Sequence, residues 1–328
     1  MSRPFLLFGL GLFLLACAAL EQLPDGTQER LDRARSLLDD WHGDRALLEA
    51  ARTELDAILV QDPELAPAHR EYARYYLMAG YRKNFEVDPD ALQAAEKSLT
   101  TALALDPAYA EAYVLAGHLY LLQGRNSDAK AALQMAESLG SQDPWLHLNW
   151  AAIHMVERNP EDALARYRQV AESGTTNRNA MEGALDGLVS YYRGKNLDGD
   201  ADRAYRQLIA YSPDVAWHYG NYAGFLLCRL NHFDAAIEQY RIALDKMSYG
   251  LARRGLAAAL YRKWAWHTNE DELDLTTGLL EEARTLWEGG PVEVFEEHCK
   301  AGNPALEQVR LAVRLTETRQ RAQSEKAD

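Results

Sequence analysis

Few residues of this 328-residue chain stand at spacings that carry chemistry. His298-Cys299 sets an imidazole beside a thiol, the pair a nucleophilic cysteine would need. The two are sequence neighbours, however, and nothing supplies a third group to orient the base. Asp198-Gly199-Asp200 with Asp202 has the acidic opening of a calcium loop. It lacks the alternating ligands and the distant bidentate glutamate, so a solvated turn is expected there. HExxH, GxSxG, Walker-type glycine loops and CxxC pairs are absent from the sequence, and with them the usual spacings for metal, nucleophile and phosphate chemistry. The sequence thus predicts no catalytic residue, no metal ligand and no bound cofactor.

The elements that position these residues are read from a repeat. Ala51, Ala95, Ala129, Ala163, Ala201 and Ala236 recur at intervals of 44, 34, 34, 38 and 35. Leu55, Leu99, Leu133, Tyr167, Tyr205 and Tyr240 follow four residues later; Ile58, Ala102, Ala136, Val170, Leu208 and Ala243 follow seven later. An i, i+4, i+7 set is one face of a helix, and a period near 34 is that of stacked helical hairpins. A second register lies upstream: Tyr72-Ala73, Ala116-Gly117, Trp150-Ala151, Leu188-Val189 and Ala223-Gly224, each followed three residues later by Tyr76, Tyr120, His154, Tyr192 or Leu227. The step from this pair to the next alanine is 12 residues in four repeats and 22 in the one spanning Ala73 to Ala95. That repeat therefore holds a ten-residue insert, Tyr81–Asp90. Its aromatic and basic residues suit either partner contact at the rim or a local plug.

On these residues the chain resembles the tetratricopeptide-repeat proteins. Asp62-Pro63, Asp106-Pro107 and Asp143-Pro144 match the family's closing step, and Asn221 to Leu244 is the best single match. The resemblance implies an all-α, single-domain, right-handed superhelix of about seven hairpins, at about 29–63, 66–107, 110–143, 145–173, 180–213, 217–248 and 250–287. The first of these has a convincing second helix only. Capping helices follow over 291–320, with Asn303-Pro304 starting the last one, and cover the exposed end of the solenoid. The tail 321–328 has no apolar face and is expected to be disordered. Cys228 and Cys299 fall in different repeat units, so free buried thiols are expected.

The N-terminus carries a second resemblance. Arg3 precedes an uncharged apolar run, Phe5 to Leu20, too short for a membrane span and suited to a secretory h-region. Leu14-Leu15-Ala16-Cys17 is similar to the lipobox of bacterial lipoproteins. This implies cleavage after residue 16, diacylglycerol on Cys17, a tether over 17–28 and a solenoid over 29–290. Ordinary cleavage after Ala16-Cys17-Ala18 and an uncleaved anchor are the alternatives. By the same resemblance, Ala18 after the cysteine implies the periplasmic face of the outer membrane in a bacterial envelope. With 35 basic against 49 acidic residues the chain carries −14, which disfavours nucleic acid as a partner.

The resemblance also implies a binding groove, lined by the first helix of each hairpin. The residues one turn from the packing pairs are Arg70 and Arg74, Val114 and His118, Asn149 and Ala152, Asp186 and Ser190, then Asn221, Phe225 and Arg229. Asn and Arg can grip the carbonyls and carboxylates of an extended protein or peptide segment, and Phe225 can cover an apolar side chain. The functional reading is a lipid-anchored protein-interaction scaffold. An accessory protein holding a small molecule for a transporter is the alternative from another class, kept open by Tyr75, Tyr76, Tyr191, Tyr192 and Tyr222, and a cryptic enzyme ranks last.

Overall fold

The repeat alanines seed the helices they predict. The structure is a computed structural model that describes residues 26–41, 43–82 and 86–327. Sixteen α-helices lie among the described residues: α1 Thr27–Asp39, α2 Arg45–Gln61, α3 Ala66–Ala79, α4 Pro89–Leu105, α5 Ala110–Leu122, α6 Asn126–Ser138, α7 Pro144–Val156, α8 Pro160–Glu172, α9 Arg178–Gly194, α10 Asp198–Tyr211, α11 Ala216–Cys228, α12 Phe233–Lys246, α13 Gly250–Asn269, α14 Thr277–Leu286, α15 Pro291–Cys299 and α16 Leu306–Ala327. All six alanines stand on second helices and are fully buried. The Asp-Pro steps act as their chemistry predicts. Asp62 and Asp106 end α2 and α4, and each carboxylate accepts the amide two residues on, from Glu64 at 3.1 Å and Ala108 at 2.9 Å. Asp143 instead caps the start of α7, accepting from the Trp145 amide, with Pro144 at the first helical position.

The chain divides into two compact units, Met1–Gly124 and Arg125–Asp328. In the first, α1 pairs with α2 and α3 with α4, and α5 packs on α4. The first hairpin is complete: α1 buries Leu31, Ala34 and Leu38 against Leu48, Ala51 and Leu55. The described residues of the insert touch both their own repeat and the preceding one. Tyr81 bridges to Val87, Arg82 pairs with Asp88, and the Tyr81 ring meets Trp41 at 6.2 Å between centroids. Lys83 and Phe85 lie outside the described residues, as do the signal-like segment and Cys17.

In the second unit α7/α8, α9/α10, α11/α12 and α13/α14 are hairpins, each packed on the next through second helix to first. Small residues admit large ones at the crossings. A Cβ on Gly187 would fall on the ring of Tyr167, and one on Gly255 on the ring of Tyr240.

The pattern breaks after α14. The closing helices pack on the last hairpin from the side of its first helix: α15 packs on α13 and reaches α11, and α16 packs on α13 and α15. The chain folds back over the first-helix side instead of continuing outward. This corrects the thiol reading: fold-back brings Cys228 and Cys299, 71 residues apart, to a Cα separation of 5.2 Å, and they form a disulfide. Linear stacking was the wrong premise, because it keeps residues of separate repeats apart. Asn303 ties the same place. Its Nδ2 donates to the Cys228 carbonyl at 2.6 Å while its Oδ1 accepts from the Ala305 amide at 2.9 Å. α13 is packed by α11, α12, α14, α15 and α16 and is buried over its middle, with Leu251, Arg253 and Trp266 left exposed. The tail also departs from expectation: helix α16 continues through 321–327, held by its own backbone bonds with exposed side chains over 321–326.

Candidate partner-binding faces

Arg70, Arg74 and His118 stand in the first unit, whereas Asn149, Asn221, Phe225 and Arg229 stand in the second. On α3, Glu71 is fully buried and gathers arginines: Arg70 at 2.6 Å, Arg74 at 2.9 Å and Arg35 from α1 at 3.2 Å. Burial pushes the Glu71 carboxyl up, but the three guanidinium charges outweigh it and hold the group at about 2. Arg74 also pairs with Asp39. Both predicted groove arginines are therefore committed to an internal carboxylate. Nothing in the residue pattern signals this, since a glutamate on a helix face ordinarily faces water. Val114 is buried in the packing of α5, with His118 half-buried one turn on.

The second unit gathers more of the predicted set. Asn149 is buried on α7. Ser190, Arg193 and Gly194 of α9, Asp198 of α10, and Phe225 and Arg229 at the end of α11 line an open cleft of about 430 Å³. Phe225 is 3% exposed and packs on Tyr205 at 5.3 Å, so it forms part of the wall and is not a free stacking platform. Arg229 is half exposed; it donates to Asp198 Oδ1 at 2.9 Å and to Asn196 Oδ1 at 2.8 Å. Arg193 donates to the Tyr205 hydroxyl at 3.2 Å. Asn221 and Asp186 are exposed on α11 and α9. The protein around Asp186, and then the charge of Glu182, raise its carboxyl to about 6 although its surface stays open to water.

The other chemical candidates are absorbed by the fold. His298 Nε2 lies 2.6 Å from the Tyr240 hydroxyl and shares a hydrogen bond with it; burial, then Arg254, push the imidazole down to about 4, so it is neutral at pH 7. Its neighbour Cys299 is in the disulfide and offers no thiol. Asp198 is taken by Arg229, Asp200 pairs with Arg203, and Asp202 receives Arg206 at 2.8 Å and the Tyr222 hydroxyl at 2.6 Å. One further cluster escaped the sequence reading. Glu182 accepts from Arg178 at 2.8 Å and from the buried Ser212 hydroxyl, and stands 3.9 Å from Nε2 of the buried His218. Ser212 gives its hydrogen to the carboxylate and not to the imidazole, which is the wrong connectivity to make a nucleophile.

Residues 88–144 match the tetratricopeptide-repeat family. The fold is that of a tetratricopeptide-repeat protein. Solved structures agree in architecture at low sequence identity. PilF of Pseudomonas aeruginosa aligns with a TM-score of 0.50 and 14% identity, over 72% of this chain and 96% of that one. PilW, a widely conserved type IV pilus biogenesis factor, aligns with 0.52 and 15%, over 69% and 96%. A chain of the APC/C hetero-tetramer Cut9–Hcn1 aligns with 0.53 and 17% over 71% of this chain, which spans 46% of it. No curated protein matches the chain in sequence. Among the described residues no helix is long and apolar enough to cross a membrane.

Proposed function

We propose that the chain is a protein-interaction scaffold of the bacterial cell envelope, anchored through diacylglycerol on Cys17 and facing the periplasm from the outer membrane. The cleft between α9 and α11 carries the reading. It joins an apolar wall, Phe225, to the charged rim of Arg193, Asp198 and Arg229, with Asn221 exposed on the same helix as Phe225. An extended segment laid there meets an apolar surface and hydrogen-bonding groups together, the combination that gives a peptide both grip and register. The shared architecture with PilF and PilW supports a place among envelope assembly factors. The lipobox-like Leu14-Leu15-Ala16-Cys17 supports the anchor.

A photo-crosslinking residue placed at Asn221 in the native cell tests the cleft. A discrete protein adduct at Asn221, absent at the 84% exposed Val60 of the first unit, is expected. Loss of that adduct on adding Arg229→Glu places recognition in the cleft, whereas equal adducts at both positions, or none at Asn221, count against it. For the anchor, Cys17→Ser abolishes acyl labelling; labelling that persists removes the lipid from the account.

A further inference from the structure

Arg262, in the middle of α13, is fully buried. Its Nε donates to Asn231 Oδ1 at 2.8 Å, and its Nη2 donates to the side-chain oxygen of Gln308 on α16. The guanidinium faces the rings of Phe233 at 5.2 Å and Trp266 at 6.0 Å. Nη1 has no hydrogen-bond partner among the described residues. Burial without a counter-charge lowers the group to about 10, which leaves it a cation at neutral pH. The cover over this cation is itself basic: α16 carries five cationic against three acidic side chains.

That cover is lightly held. Leu306, Val309 and Ala312 are the buried apolar groups of α16, all within its first two turns. Beyond them the apolar contact thins to the half-buried Val313 and Leu315, and the last tie is polar, with Arg319 donating to the Thr268 carbonyl at 3.5 Å and to Asp271 at 2.7 Å. Residues 321–326 are exposed, and so is Gln308 itself. By contrast α15 is fixed covalently by Cys228–Cys299, and Asn303 clamps the connection that follows. The clamp at Asn303 and the buried Ala305 hold the start of α16, so any opening has to begin at its distal end, where residues 321–326 are exposed.

We propose that α16 is an exchangeable occupant of the α13 face, and that the partner replacing it is an amphipathic helix carrying a carboxylate where α16 carries Gln308. A neutral amide oxygen satisfies one arm of the guanidinium and none of its charge. A carboxylate takes Nη1 and Nη2 together and neutralises it. Lifting α16 lets water reach Arg262, which offsets part of the lost apolar burial and keeps the exchange within reach of a helix of similar length. This face lies on α13 and is separate from the α9–α11 cleft, so the two readings stand or fall apart.

The test uses the full oxidised chain and a fluorescent synthetic helix with the sequence of residues 303–321, in its native form and with Gln308→Glu. Anisotropy should show the glutamate peptide binding at least tenfold more tightly than the native one. The chain variant Arg262→Met should erase that preference. Gln308→Glu in the chain, at an exposed position that does not threaten the fold, should weaken binding of either peptide about tenfold by closing the face from within. Asn221→Ala should leave all of this unchanged. Equal affinities for the two peptides, a glutamate preference that survives Arg262→Met, or no binding of either peptide would overturn the proposal.

Discussion

Glu71 on α3 and Arg262 on α13 are both fully buried ionic side chains on the first helix of a hairpin, one in each compact unit, and they are solved in opposite ways. Three arginines surround the carboxylate, so its charge is overcompensated and the group is locked ionised. The guanidinium has amides and aromatic rings but no carboxylate. A buried charge with good partners fixes structure; one without them marks a contact that another molecule can improve. In this comparison α3 belongs to the permanent scaffold and the α13–α16 contact to its replaceable part.

The largest expected effect breaks the first half of the comparison. Glu71→Ala leaves three cations converging on an empty site and should destabilise the protein by about 3–5 kcal/mol in urea unfolding, while Arg262→Met should stay within about 1 kcal/mol of wild type. Similar losses for both would erase the distinction. Acid comes next. Glu71 lies at about 2 when folded against an ordinary 4.5. Its contribution is therefore complete above about pH 5 and is lost as pH falls through the interval from 4.5 to 2. The stability gap between wild type and Glu71→Gln should shrink by about 3 kcal/mol across that interval. A gap independent of pH would mean that the carboxylate is not held down by its arginines. In the second unit, His298 works earlier. Its folded value is depressed to about 4, so the unfolded chain takes up the proton first and stability falls between about pH 6.5 and 4.

A packing contrast ranks third. Gly255→Ala drives a methyl into Tyr240 and should cost about 1–3 kcal/mol, whereas Gly194→Ala, with open space around it, should be neutral or slightly stabilising. The smallest effect sharpens the second half of the comparison. Gln308→Glu, giving Arg262 a carboxylate at a partly exposed site, should raise stability by about 0.5–1 kcal/mol, and salt should reduce that gain. A loss there would mean that the guanidinium prefers its amide.

The hairpins were legible in the sequence because each repeat alanine must touch a neighbouring helix, and such a contact leaves a period of small and large residues. Helix α1 was the least legible of the first helices although Leu31, Ala34 and Leu38 keep helical spacing, because it lacks the core pair that marks the others. The fold-back of α15 and α16 left no period to read. Its evidence is a pair of cysteines 71 residues apart, and their distance depends on how the chain turns after α14. The groove positions were assigned by counting helical turns, and of these Asn221 and Arg229 are exposed. Counting turns does not say what stands opposite, so it put Phe225 and Val114 in the open when both are walled in. It also missed that Arg70 and Arg74 turn inward to a glutamate beside them in the chain.

Hydrogen exchange on the intact oxidised chain, followed by mass spectrometry, tests the contrast between permanent and replaceable contacts most directly. Amides of α16 should open locally and exchange at least tenfold faster than those of α3 and α13, and Gln308→Glu should slow α16 alone. If α16 is protected as strongly as α13 and exchanges only with global unfolding, the helix is a fixed part of the fold and the account of an exchangeable face is wrong.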